Sequence, residues 1–252
     1  MALLKVLLLL GLGVSVNSDV SLQKRIIGGQ KCYDTERLYH VRLESSNGTH
    51  MNRCGGSLIR PQWILTAGHC WKAERGWTIA ATLKVHPRTA WQQRQVILQA
   101  PKIYTRFGQQ HNVMLLKLET PVRDVPLAQL PDCRRRLQVG DVVQLAGEGA
   151  TTTGPNNQHL PPNSPIPAHL QCVDMRVIRV SVVTPTFGHL FYVETPNKDV
   201  CYGDDGGAVV YNGMIYGVIS FGGPDYYTCR KPAAVMDVCE YLGWIKFTVG
   251  LI

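Results

Sequence analysis

The chain has 252 residues, with 26 Lys and Arg against 18 Asp and Glu for a formal net charge of +8, eight cysteines and 45% hydrophobic residues. This is enough apolar material for a substantial core in one large domain or two small ones, and no short-period repeat or low-complexity tail suggests a fibrous or disordered chain. No nucleotide-binding loop or zinc-ligand cluster appears, so neither a cofactor nor a nucleic-acid partner is expected.

At the N-terminus, Lys5 precedes an apolar run from Val6 to Val14 and small residues ending at Val16-Asn17-Ser18. The run is too short to cross a bilayer of roughly 30 Å, so residues 1–18 are predicted to be a signal peptide. No second long apolar run follows, and export without a membrane anchor is the expectation. That places the even set of cysteines in an oxidising compartment, where disulfides form.

Next along the chain, Asn47-Gly48-Thr49 is an N-glycosylation acceptor pattern in a turn-prone stretch, with Asn47 as the site. Short apolar runs then recur between Gly, Pro and Asn clusters: Gly56-Ser57-Leu58-Ile59, Trp63-Ile64-Leu65, Val113-Met114-Leu115-Leu116 and Tyr216-Gly217-Val218-Ile219. They predict strands of an all-β domain. Residues 75–118 carry Arg75, Lys84, Arg88, Arg94, Lys102, Arg106 and Lys117 with no acid. Such an imbalance suits a polyanion such as a glycosaminoglycan, although a solvated basic face is its ordinary meaning, as for Arg134-Arg135-Arg136. Residues 151–168, rich in Pro, Asn and Thr, predict a long loop. In the tail, Val238, Tyr241, Leu242, Ile245 and Val249 recur at spacings of three and four, which predicts a helix.

Four further motifs stand in order: Lys24-Arg25-Ile26-Ile27-Gly28-Gly29, Leu65-Thr66-Ala67-Gly68-His69-Cys70, His111-Asn112-Val113-Met114-Leu115-Leu116-Lys117-Leu118, and Gly203-Asp204-Asp205-Gly206-Gly207-Ala208. In that order and at similar intervals they resemble the chymotrypsin/trypsin family of serine proteases over residues 26–252. The resemblance implies two packed six-stranded antiparallel Greek-key β-barrels with a C-terminal α-helix, preceded by a short propeptide at residues 19–25. Removing residues 1–25 leaves a net charge of +6, since they hold Lys5, Lys24 and Arg25 against Asp19.

The same resemblance assigns roles. His69 stands at the catalytic base, Asn112 at the orienting acid, and Asp205 at the nucleophile. The backbone N–H groups of Gly203 and Asp205 form the oxyanion hole. Asp199 lies at the base of the substrate pocket, with Ser220, Gly222 and Ala233 on its walls; Ala233 replaces a glycine of the family and should narrow it. Cleavage after Arg25 would free Ile26 to pair with Asp204. The implied disulfides are Cys32–Cys172, Cys54–Cys70, Cys133–Cys239 and Cys201–Cys229. The family's calcium loop has lost its acids here, so no metal is expected.

Acyl transfer on this fold needs a hydroxyl nucleophile, a base and a carboxylate that fixes the base's tautomer. Only the base is present. A carboxylate at the nucleophile would attack to give a high-energy anhydride and sets negative charge beside the oxyanion hole. An Asp-to-Asn change at the orienting position costs about 10⁴ in turnover through the wrong tautomer. The expectation is a secreted, monomeric, catalytically inactive homologue that binds a protease, inhibitor, receptor or polyanion. The alternatives are an active endopeptidase cutting after Arg or Lys, against which Asp205 stands, and a glycosaminoglycan- or cell-surface-binding protein.

Overall fold

Some strands are continuous buried runs, whereas alternation of buried and exposed side chains sets the longest. In the longest, Val173, Met175 and Val177 point inward while Asp174 and Arg176 face out, the period of two that a half-buried strand requires. The computed structural model describes residues 26–150, 152–161, 164–220, 227 and 230–251. The predicted signal peptide and propeptide, with Arg25, lie outside the described residues, as do Gly222 and Cys229.

The strands in chain order are β1 (Gln30–Lys31), β2 (His40–Ser46), β3 (Met51–Arg60), β4 (Trp63–Thr66), β5 (Thr78–Leu83), β6 (Gln93–Val96), β7 (Lys102–Arg106), β8 (Gln109–Lys117), β9 (Val142–Gly147), β10 (Gln171–Thr184), β11 (Gly188–Glu194), β12 (Ala208–Tyr211), β13 (Met214–Ile219) and β14 (Ala233–Asp237). The four apolar runs fall in β3, β4, β8 and β13. The first half is a seven-stranded sheet in the order β6-β5-β2-β3-β4-β8-β7. In the second, β9 pairs with both β12 and β10, closing β10-β11-β14-β13-β12-β9 into a six-stranded antiparallel barrel, with β1 added along β10. The all-β, trypsin-like architecture with a C-terminal helix is therefore present.

Ile26, Val143, Leu145, Val173, Phe191, Val209 and Ile219 are among the residues filling one core. A larger core joins the first sheet to Val210, Ile215, Met236, Tyr241 and Ile245 of the second half, so the two halves share buried apolar surface. Burial of this kind is the main favourable term in folding. In the tail, Val238, Tyr241, Ile245 and Val249 are buried as the spacing predicts. Residues 238–241 are a tight 3₁₀ turn, however, started by the Asp237 carboxylate accepting the Cys239 N–H at 3.1 Å, and the α-helix α1 runs only over Leu242–Thr248.

Three of the four expected disulfides are formed: Cys32–Cys172, Cys54–Cys70 and Cys133–Cys239. The fourth involves Cys229 and lies outside the described residues. The first and third bridge sequence separations of 140 and 106 residues, the range in which a cross-link removes about 4 to 5 kcal/mol of chain entropy from the unfolded state.

Candidate active site

His69 sits on a single 3₁₀ turn, Gly68–Cys70, directly after β4. The Cys54–Cys70 disulfide ties that turn to β3. Asn112 projects from β8, and Asp205 lies in the segment leading into β12, so the first sheet supplies two members and the second barrel the third. The halves meet closely there. Gly55 N–H donates to the Asp205 carbonyl at 2.6 Å. Gly206 has φ +80°, and a Cβ on it would stand 2.2 Å from Thr66 Oγ1 and 2.3 Å from the Gly55 carbonyl. Only glycine allows this approach.

The structure brings His69, Asn112 and Asp205 together. Asn112 Oδ1 accepts the His69 backbone N–H at 2.8 Å and lies 3.1 Å from Nδ1 of the ring. Its Nδ2 donates to Ser220 Oγ at 2.6 Å. Because a backbone N–H can only donate, it fixes the amide with oxygen toward the histidine. Asn112 therefore holds the proton on Nδ1, the tautomer a carboxylate would select. The expected wrong-tautomer defect is corrected by this orientation, and what is missing at position 112 is charge.

On the other side of the ring, His69 Nε2 lies 3.8 Å from Asp205 Oδ2, with Asp205 6% exposed. Burial disfavours a charged ring, but Asp205, helped by Asn112, outweighs it and holds the His69 pKa above the ordinary histidine value. Negative charge has thus moved from the orienting side of the imidazole to the nucleophile side. In a proton NMR titration, His69 is expected to titrate above free histidine and to fall when Asp205 is changed to Ala. An equal midpoint in both proteins would show that Asp205 does not stabilise the cation.

The nearby hydroxyls are committed elsewhere. Ser220 Oγ lies on the far side of the Asn112 amide, and Thr66 Oγ1 donates to the Gly55 carbonyl at 2.8 Å; both residues are fully buried. A cleft of about 680 Å³ opens beside His69 and Asn112, walled by Trp71, Ile103 and Phe187.

Behind Asp205, Asp204 is fully buried, and its carboxylate accepts N–H groups from Gly149 at 2.7 Å and Cys201 at 2.8 Å. Burial pushes its carboxyl up to about 7 despite these bonds, with Asp205 and Asp199 adding repulsion. Ile26 is also fully buried, in the barrel core with a φ of 47°. Gly203 takes a φ of +102° just before this pair of acids. Ala233 opens β14, where it pairs with Val193 of β11.

Asp199 is 7% exposed, and both of its oxygens are engaged: Oδ1 accepts Val200 N–H and Oδ2 lies 2.9 Å from His159 Nε2. His159 comes from the loop at 151–168 and was not singled out in the sequence. Nothing in the spacing of a Pro- and Asn-rich loop places one of its side chains on an acid 40 residues away.

A second unread cluster flanks the site. Arg42 makes a bidentate pair with Glu148 at 2.8 and 2.6 Å, and Arg88 reaches the same carboxylate at 3.3 Å. His40 is 3.9 Å away, and burial pulls its pKa down to about 4, so it stays neutral at pH 7. The alternation of His40, Arg42 and Glu44 on one face of β2 is the signal available in the sequence. Among the described residues two groups of potential metal-ligating atoms occur, Cys54/His69/Cys70 and Cys32/Glu36/Cys172, and each takes two of its three atoms from a disulfide. A disulfide sulfur is not a thiolate donor.

The basic stretch divides in the structure. Lys84 pairs with Asp124, Arg88 with Glu148, and Lys117 lies over the Trp63 ring, while Arg75, Arg94, Lys102 and Arg106 are exposed. The Arg134–136 run is paired locally, with Asp132, with Tyr211, and with Asp237 and Glu240.

Comparison with known proteins agrees with this geometry. A family model described as Trypsin matches residues 26–245. The chain is 32% identical to putative trypsin-6 of Homo sapiens, over 97% of both chains. It is 32% identical to serine protease 1 of Rattus norvegicus, over 97% of this chain and 98% of that one. It is 31% identical to trypsin of Sus scrofa, over 90% and 96% respectively. With the closed barrel, the three disulfides and the meeting of positions 69, 112 and 205 between the two halves, these matches show that the chain belongs to the trypsin family.

Proposed function

We propose that this chain is a secreted trypsin-family protein without peptidase activity, which works by binding. The observation that carries the reading is a carboxylate in place of the nucleophilic hydroxyl, Asp205 Oδ2 at 3.8 Å from His69 Nε2. A carboxylate paired with an imidazolium is a poor nucleophile, and its charge opposes an oxyanion formed beside it. Losing the nucleophile alone is sufficient to silence such a site.

Three disulfides fit an oxidising, extracellular compartment. Asn47, in the exposed β2–β3 turn, is available for glycosylation. Cleavage after Arg25 would give Ile26 an α-amino charge to offset the buried Asp204, whose carboxyl burial pushes up. Processing would then change conformation without switching on catalysis. The partner is a protease, an inhibitor or a receptor. A second reading, binding to a glycosaminoglycan, draws on the exposed Arg94, Lys102 and Arg106.

The test is to cleave the purified protein after Arg25 and treat it with a serine-directed phosphonate and an arginine ester. Neither covalent labelling at the active site nor turnover is expected. Either would overturn the reading.

A further inference from the structure

We infer that residues 152–161 form an internal strap whose His159 occupies the base of the substrate pocket, making His159 the residue that decides what the pocket accepts. This rests on the reading of Asp199 as the pocket base. It goes beyond that reading in stating that the carboxylate is already taken and that Arg and Lys side chains are shut out.

The contact is a built one. His159 Nε2 stands 2.9 Å from Asp199 Oδ2, with the two side chains only 3% and 9% exposed. The Val200 N–H holds the other oxygen at 2.9 Å. A guanidinium binds a carboxylate by two parallel N–H bonds; both oxygens of Asp199 already have a partner, and to reach Oδ2 from the side His159 occupies it would have to displace the imidazole. The imidazole ring meets Tyr202 edge-on, at 6.1 Å between centroids and 88° between planes.

The backbone of the strap is shaped to deliver this side chain. Gly154 N–H donates to the Gln158 carbonyl at 2.8 Å, and Thr153 and His159 form an antiparallel bridge, so the segment doubles back on itself. Asn156 and Asn157 make the reversal with φ values of 58° and 57°, a conformation asparagine tolerates better than most residues. Gln158 bridges to Tyr227. Beyond the tip, Arg53 donates to the Ser164 carbonyl at 3.1 Å and Arg88 to the Pro167 carbonyl at 2.6 Å, fastening the downstream arm to the first half of the molecule. A plug carried on the same chain competes with an outside ligand at high effective concentration. The apparent affinity of that ligand falls by the fraction of molecules in which the strap is lifted.

Benzamidine, a small planar cation, is the probe. Its binding to the full secreted chain, followed by calorimetry, is expected to tighten at least tenfold in His159→Ala. The gain should disappear when Asp199→Asn is added, and His159→Gln, which keeps a donor of similar size, should stay close to the unaltered protein. Equal binding by the unaltered chain and His159→Ala would overturn the inference. A second measurement needs no probe and leaves His159 in place: in Asp199→Asn the Gly154 and Gln158 amides should exchange hydrogen faster. Unchanged exchange would also overturn it. Equal binding would leave the absence of catalysis untouched, whereas turnover of an arginine ester would sink that reading and not the strap.

Discussion

Asp205→Ser, in protein cleaved after Arg25, is expected to convert a chain that ignores a serine-directed phosphonate into one that is labelled, and adding Asn112→Asp should speed labelling about 10³-fold. The hydroxyl restores the atom that must attack. The second step has a size that follows from the geometry. Asn112 already presents its oxygen to the histidine, so the tautomer is correct and only the stabilisation of the imidazolium is missing. Two unit charges about 4 Å apart at an effective dielectric of about 20 interact by roughly 4 kcal/mol, which is about three factors of ten in rate. A gain near 10⁴ would indicate that the amide turns its nitrogen toward the ring in solution. Silence of the double variant would place further damage in the oxyanion hole around Gly203. Small phosphonates should react before arginine esters do, because His159 stands between an arginine side chain and Asp199.

Glu148→Ala should cost about 3 to 5 kcal/mol, the range for stripping one partner from a buried ion pair. Thermal unfolding would then fall by roughly 10 °C for a domain of this size. The Glu148 side chain is 2% exposed and carries two arginines, Arg42 and Arg88, of which Arg42 is 7% exposed. Neutral His40 offers no compensating acceptor for both. Asp124→Ala is the control: it breaks the Lys84 pair at a position where the acid is 66% exposed, and exposed pairs contribute about 0 to 1 kcal/mol. Equal melting of the two variants would show that Glu148 is not the counter-charge on which Arg42 depends.

Much of the framework was legible because it is written in local pattern. Alternation marks β10, short apolar runs between turn formers mark β3, β4, β8 and β13, and the tail's buried face follows its spacing even though the first turn is 3₁₀. Three of the cysteine pairs that the resemblance implied are formed, and the triad positions meet. What escaped depends on contacts between distant segments. Arg42 and Glu148 are 106 residues apart, and His159 reaches Asp199 only because two asparagines reverse the strap. The Asn112 amide is the instructive case. Residue type alone suggests a wrong tautomer, but a single backbone N–H, on His69, sets the amide the other way.

The placement of the basic residues in 75–118 has one more consequence. β6 and β7 are the two edge strands of the first sheet in its strand order, and an edge strand offers unpaired backbone groups to any other chain that can lie alongside. Arg94 is exposed on β6, and Lys102 and Arg106 on β7. Cationic side chains along such margins hinder strand-to-strand aggregation. The second barrel closes on itself and has less need of them. The acid-free stretch thus protects the open sheet from self-association, and a glycosaminoglycan that masked these charges would remove that protection.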